Sequence, residues 1–159
     1  MWDYYKIHKW VQIAVKNKLD VTAAIEVFVT ERDTGKIGRL DVYSFFTKSY
    51  YEVKSIGASE TKSTEEQMML YDNSYLPLTN KAKIYRGNNY IRDSFYYGAW
   101  EIEFYSHKTT PGLIVYTTTL DYNRMRVAQT IAVFAVATVI TYATAGGGAG
   151  SYGALVFVQ

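Results

Sequence analysis

Residues 38–55 read GRLDVYSFFTKSYYEVKS, and this stretch predicts the centre of the β-sheet. Two runs rich in β-branched and aromatic residues flank a short turn, which predicts two adjacent strands. Side chains alternate across a strand, so Glu52 and Lys54 point to one face and Val53 points to the other. The flanking residues have the propensity of a central strand, where an unpaired charge is costly to bury. The charged face of this strand therefore needs a chemical reason.

A metal site supplies that reason. Asp41 and Glu52 would converge from neighbouring strands, repel each other and attract a divalent cation, with the Val53 carbonyl as a further oxygen ligand. A cation held in this way activates water and stabilises charge on a phosphoryl oxygen. Lys54 would position the attacking water or stabilise the developing negative charge. These are the parts required for phosphodiester hydrolysis.

The alternative for this motif is structural. Glu52 and Lys54 would then form a surface ion pair on an exposed strand edge, which describes most Glu-x-Lys triplets and contributes little energy. A short motif alone does not separate the two interpretations.

Two amphipathic or capped segments predict helices. Apolar residues at three- and four-residue spacings predict a helix over residues 3–18. A second helix is predicted over residues 64–75, because Ser63 precedes Glu66 at the spacing of a capping box and Pro77 would stop the helix.

The remaining periodic segments predict strands, three of them consecutive after the first helix. They are bounded by turn-forming sequences such as RDTGK and KTTPG. The predicted strands cover residues 22–31, 37–45, 49–56, 81–87, 99–107 and 112–120.

The composition limits the chemistry. A chain of 159 residues with nearly half its residues apolar predicts one packed α/β domain. The formal charge of +2 does not by itself indicate nucleic-acid binding. The absence of cysteine excludes disulfides, thiolate catalysis and cysteine-based zinc sites, so a metal would be Mg²⁺ or Mn²⁺. The start of the chain lacks a signal-peptide pattern, and we expect any export to use another route.

At this point the sequence resembles the PD-(D/E)XK nuclease superfamily, and more closely the nuclease toxin domains of bacterial polymorphic and contact-dependent toxin systems. The resemblance covers residues 3–116, although Leu40 stands where the superfamily usually has proline. The matching positions are Ile7, His8 and Gln12; Glu26; Gly38, Arg39 and Asp41; Tyr51, Glu52, Val53 and Lys54; and Gln67 with Tyr71.

The resemblance implies both a fold and a function. The fold would be a mixed central sheet with flanking helices and a restriction-endonuclease-like core over residues 1–126. The function would be a Mg²⁺-dependent endonuclease acting on DNA rather than RNA. It would be delivered from the producing bacterium into the cytoplasm of a target cell, and a cognate immunity protein would neutralise it in the producer.

The accessory residues carry alternatives. By resemblance, Glu26 would be a further carboxylate near the metal, but strand alternation equally places it on a solvent face. His8 and Gln12 share a helix face and would reach the phosphate or a carboxylate, although a structural hydrogen bond is the commoner role of a lone helix histidine. Gln67 and Tyr71 would support the site or contact the nucleic-acid backbone, and Tyr71 would alternatively belong to the core.

Six basic residues in or beside predicted loops are candidates for nucleic-acid contact, with scattered surface charge as the alternative. They are Lys48, Lys62, Lys81, Lys83, Arg86 and Arg92.

The tail, residues 127–158, carries no charged residue. Its length suits a membrane span, but its threonines and alanines favour a helix at 127–145 that packs on the same domain or on a partner. Two rival functions follow: a binding or assembly protein with this tail as anchor, and a membrane-permeabilising toxin in which the nuclease motif is accidental.

Overall fold

The computed structural model describes residues 4–77, 79 and 81–127. The chain divides into two units, residues 1–120 and 121–159. In the second unit the description covers residues 121–127, of which 122–127 are helical. The first unit contains three helices: α1 Tyr4–Lys18, α2 Ile56–Ser59 and α3 Lys62–Asp72. Its strands are β1 Ala23–Glu31, β2 Ile37–Ser44, β3 Ser49–Ser55, β4 Ser74–Tyr75, β5 Tyr85–Arg86, β6 Arg92–Tyr97, β7 Trp100–Ser106 and β8 Leu113–Leu120.

The strands form one open, mixed sheet in the order β4-β1-β2-β3-β8-β7-β6, with β5 also paired to β3. β3 runs parallel to β8 and β5, and its other neighbour, β2, is antiparallel. Strand β3 therefore has partners on both sides, which confirms its predicted central position. The mixed α/β class and the three consecutive strands after the first helix are confirmed as well.

The two longer helices pack on opposite faces of this sheet. Helix α1 buries Ile7, Val11 and Val15 in a cluster that includes Val42 of β2 and Val53 of β3. Helix α3 buries its apolar side in a second cluster on the other face, whose members include Val29, Leu40, Tyr50, Met68 and Tyr71. The amphipathic pattern of residues 3–18 thus predicted most of the buried stripe of α1, because spacings of three and four residues align on one helix face. Trp10, which has the same spacing, is 48 % exposed, and its predicted place in the stripe was wrong.

The alternation of side chains in β1 and β2 is interrupted at one pair of opposed positions. Ile25 packs with the α1 cluster, whereas Val27 packs with the α3 cluster, although two residues apart should share a face. The pairing keeps one register, with Ile25 opposite Val42 and Val27 opposite Leu40. Glu26 lies between them in a left-handed conformation, with φ +56°. The register places it opposite Asp41.

Three details of the sequence-based assignment were wrong. The cap of α3 is Thr61, whose side chain accepts a hydrogen bond from the Thr64 N–H, and Ser63 lies inside the helix. The helix ends at Asp72 rather than at the predicted residue 75, because residues 74–75 form the short strand β4. No strand was predicted where β6 lies, and the inner residues Phe95 and Tyr97 of this strand pack only half-buried against the α1 cluster.

The apolar tail lies outside the described residues from position 128 onward, and the expectations for it stay predictions. Among the residues that the structure does describe, no helix has the length and hydropathy to cross a membrane.

Glu31, at the end of β1, ties the β1–β2 turn to the end of α3. Its carboxylate accepts hydrogen bonds from the Thr34 hydroxyl, from the N–H groups of Thr34 (2.8 Å) and Asp33 (3.2 Å), and from the Asn73 amide. These bonds, that of the Thr34 hydroxyl first, lower the pKa of Glu31. The ionised carboxylate therefore stabilises this junction.

We expect Glu31→Gln to lower the free energy of unfolding at pH 7. The folded-state pKa lies below the ordinary value of 4.5, so this stabilisation is present above pH 4.5 and is lost as the pH falls through the folded-state pKa. Urea titrations at pH 7 and at pH 3.5 should show the difference between variant and wild type shrinking in acid. Glu60→Gln, at an exposed position, is the control. A deficit that is equal at both pH values would contradict this role of the ionised carboxylate.

Candidate active site

Asp41 lies where β2 and β3 separate. The pairing of these strands extends to Val42 opposite Tyr51 and no further toward the end of β3. The next N–H that β3 directs at β2 belongs to Val53, and it donates to Asp41 Oδ2 at 2.8 Å. A side-chain carboxylate thus replaces a backbone carbonyl in the ladder, which satisfies a buried N–H while opening a gap between the strands.

Helix α1 holds the other oxygen of Asp41. The Gln12 amide donates to Asp41 Oδ1 at 2.7 Å, and His8 Nε2 is 3.3 Å from the same oxygen. His8 and Gln12 are one helical turn apart, so both reach the same point. Burial would raise the pKa of Asp41, but the hydrogen bond and charge of His8, the Val53 N–H and the charge of Lys54 together lower it. Asp41 is therefore ionised at neutral pH.

Glu52 is the most deeply buried charged group of the site. Its side chain is 0 % exposed, and Lys54 Nζ lies 2.6 Å from Oε1. The two groups form a buried ion pair, and Glu52 Oε2 accepts no hydrogen bond within the described part of the chain. Burial, together with the negative charge of Asp41, raises the pKa of Glu52 to about 8 against the opposing attraction of Lys54. The surface-pair alternative for Glu52 and Lys54 is therefore wrong.

Helix α3 fixes Lys54 from the opposite face of the sheet. Lys54 Nζ donates to Gln67 Oε1 at 2.9 Å, and the Gln67 amide donates to the Tyr71 hydroxyl at 2.6 Å. The Tyr71 hydroxyl donates in turn to the backbone carbonyl of Arg39 at 2.7 Å. Gly38 provides the space, since a Cβ there would lie 2.8 Å from the Tyr71 ring. Tyr71 is both a buried core residue and a support of the site.

Glu26 lies beside this network but is bonded elsewhere. Its carboxylate pairs with Lys9 of α1 at 2.8 Å. The hydrogen bond from Lys9 lowers the pKa of Glu26, as do the charges of Lys9 and Arg39, whereas burial and Asp41 oppose them. Neither sequence-based alternative foresaw Lys9 as its partner, because the left-handed backbone at Glu26 redirects the side chain and no local pattern announces it.

Tyr116 was also missed by the sequence analysis. Its ring contacts the His8 imidazole edge-on, with centroids 6.2 Å apart. Tyr116 lies on β8 opposite Ser55 of β3, one residue beyond Lys54. Only the parallel pairing of β3 with β8 brings it to His8.

Three of the basic residues considered for nucleic-acid contact form ion pairs within the protein, of which the exposed pair Lys62–Glu66 is the longest at 3.4 Å. Arg86 binds both oxygens of Asp72 through Nε, at 2.9 and 3.0 Å. Arg92 binds Glu103 on the neighbouring strand, at 2.6 Å through Nη2. Their charges are therefore largely compensated.

The residues of this gap fit a hard divalent cation. Within the described chain, Glu52 Oε2 and Gln12 Oε1 are buried oxygens that accept no hydrogen bond, and Glu52 Oε1 is paired with Lys54. The N–H and C=O of a strand residue point to the same side, so the Val53 carbonyl should face the gap with Asp41. The ligands would thus be two carboxylates and a carbonyl. No cluster of three or more His, Asp or Glu side chains suited to a metal occurs in residues 4–77, 79 and 81–127.

Comparisons of the chain with protein-family models, with curated proteins and with solved structures found no match. The functional assignment therefore depends on the motifs in the sequence and on the geometry of the residues around Asp41.

We expect Glu52→Gln to raise the free energy of unfolding in the presence of a chelator, by about 1–3 kcal/mol, because the amide removes a buried carboxylate next to Asp41. Thermal or urea unfolding of both proteins tests this. Adding Mn²⁺ should stabilise the wild type and leave the variant unchanged. A variant less stable than the wild type without metal would show that the carboxylate is structural.

Proposed function

We propose that this chain is a metal-dependent endonuclease with a restriction-endonuclease-like core. The observation that carries the proposal is the fully buried carboxylate of Glu52 beside a second carboxylate, Asp41. The Lys54 ammonium lies 2.6 Å from Glu52 Oε1. Apolar side chains of similar volume at such positions are often as stable or more stable, so a buried charged group of this kind is better explained by a function than by stability. Strained and unsatisfied polar groups concentrate where chemistry requires them.

Asp41 is kept ionised and fixed in position. The N–H of Val53 holds Oδ2, and the Gln12 amide and His8 hold Oδ1. With its rotation blocked by contacts from two directions, Asp41 presents a constant negative charge to the gap. His8 also lies near the surface, with 28 % of its side chain exposed, where it can orient a phosphate oxygen by hydrogen bonding.

The cation would be held by Asp41, Glu52 and the Val53 carbonyl. When bound, Mg²⁺ or Mn²⁺ lowers the pKa of water and stabilises negative charge on a phosphoryl oxygen. Glu52 would then be ionised, since a positive charge next to it favours the carboxylate. Glu52 Oε1 is paired with the Lys54 ammonium, whereas Oε2 accepts no hydrogen bond within the described chain and is available for this.

Lys54 supplies a fixed positive charge. Its ammonium is anchored to Gln67 and Glu52, and 22 % of its side chain remains exposed. From that position it can hold a water molecule for attack and stabilise the extra negative charge of the pentacovalent phosphorus. Gln67 and Tyr71 position Lys54, because they link it to the backbone of β2.

The biological role follows from the resemblance of the motifs alone. The domain would act on DNA as the toxic part of an interbacterial effector delivered into a target cell, and an immunity protein would inhibit it in the producing cell.

We expect the purified protein to degrade plasmid DNA with Mg²⁺ or Mn²⁺ and to leave it intact with a chelator; total RNA in a parallel reaction tests the preference for DNA. Asp41→Asn, Glu52→Gln and Lys54→Ala should each lower the cleavage rate by about 10²–10⁴-fold. The carboxylate variants should also lose Mn²⁺ binding in calorimetry, whereas Lys54→Ala should retain it, because the lysine repels the ion.

Matched controls come from a surface ion pair of the same residue types. Glu66→Gln and Lys62→Ala alter a pair whose side chains are 63 % and 88 % exposed. Both should cleave at the wild-type rate. Full activity in Lys54→Ala, or unchanged metal binding in Asp41→Asn, would refute the assignment.

A further inference from the structure

An uncovered part of the sheet begins directly beside the candidate active site. Beyond the interruption at Glu26 and Asp41, residues 28, 30, 37 and 39 point to the α1 side of the sheet, because their neighbours pack toward α3. Within the described residues, helix α1 packs on this face at Ile25 and Val42, whereas residues 28, 37 and 39 are exposed and residue 30 is half-buried. We call Phe28, Thr30, Ile37 and Arg39 the open shelf.

The open shelf is apolar and exposed to an unusual degree. Phe28 is 62 % exposed and Ile37 is 70 % exposed. Phe28 lies directly opposite Arg39, and Ile37 lies opposite Thr30, so each pair shares a face. An exposed aromatic ring next to an arginine on a flat sheet indicates a binding surface rather than a misplaced core.

The open shelf adjoins the candidate site on strands β1 and β2. Arg39 is two residues from Asp41 on β2, and it is exposed. Lys9, where α1 meets the shelf, is paired with Glu26, so Arg39 supplies the exposed positive charge of the shelf.

We propose that the open shelf binds a single-stranded segment of the nucleic acid next to the cleaved bond, with one base stacked on Phe28 and the adjacent phosphate on Arg39. This inference rests on the proposed nuclease function and specifies its substrate. An aromatic side chain and an arginine on an open sheet face suit unpaired bases, because their π-faces are free. In a duplex, both faces of each base are already stacked on its neighbours. The enzyme therefore prefers single-stranded or locally melted substrate to an intact duplex.

Binding is measured by fluorescence anisotropy in chelator, so that no cleavage occurs, with a labelled 12-nucleotide DNA alone and annealed to its complement. The wild type should bind the single strand more tightly than the duplex. Phe28→Ala should weaken single-strand binding by about 5- to 100-fold, the range found for loss of one base stack. Phe28→Trp should retain affinity and Phe28→Leu should not, which separates stacking from simple apolar contact.

Phe46→Ala is the matched control, since this phenylalanine is 78 % exposed on the β2–β3 turn, away from the shelf. It should bind like the wild type. Arg39→Gln should lower the slope of log affinity against log salt by about one, as for the loss of one phosphate contact. Circular dichroism confirms that each variant is folded.

The inference is overturned if Phe28→Ala binds within twofold of the wild type, if Phe46→Ala is equally impaired, if Phe28→Leu binds as well as Phe28→Trp, or if duplex is bound more tightly. These results leave cleavage by the wild type in Mg²⁺ untouched and so do not refute the nuclease proposal. Conversely, binding that depends on Phe28 without any cleavage would refute the nuclease and keep the single-strand surface.

Discussion

The hydrogen bond from the Val53 N–H to Asp41 is the interaction on which the site depends. It closes the ladder between β2 and β3 with a side chain, so the two strands separate without leaving a buried N–H unsatisfied. The gap that results lies between the two helical layers. Helix α1 reaches it with His8 and Gln12, and α3 reaches it through Gln67. Without this bond, the strands would have to pair further or lose a buried hydrogen bond.

The Val53–Asp41 hydrogen bond satisfies buried polar groups, whereas the buried carboxylate of Glu52 costs folding free energy. Burial and the negative charge of Asp41 disfavour the ionised form of Glu52, and the pair with Lys54 offsets this only in part. Two apolar clusters on either face of the sheet offset this cost. Strand β3 pairs with strands on both sides, and this pairing keeps it in place despite the cost of burying the Glu52 charge. Stability has thus been exchanged for a charged centre, as functional sites commonly require.

The local sequence determined which elements form and which residues share a face. The spacing of Ile7, Val11 and Val15 specifies the buried side of α1, and the two-residue period specifies that Glu52 and Lys54 are neighbours. These features depend on residues a few positions apart, so they can be deduced from the sequence alone. The strand β6 was missed although its residues alternate, because its inner face is only half-buried and Asp93 shares that face with Phe95 and Tyr97.

Contacts between residues far apart in the sequence became evident only from the tertiary structure. The parallel pairing of β3 with β8 brings Tyr116 to His8, and the left-handed backbone of Glu26 turns its carboxylate toward Lys9. That same interruption moves Phe28 to a face that α1 does not cover. The physical reason is that sequence patterns report the periodicity of one element, whereas a site and its access surface depend on the register between elements and on where a helix ends above a sheet. Those are set by packing across the whole domain.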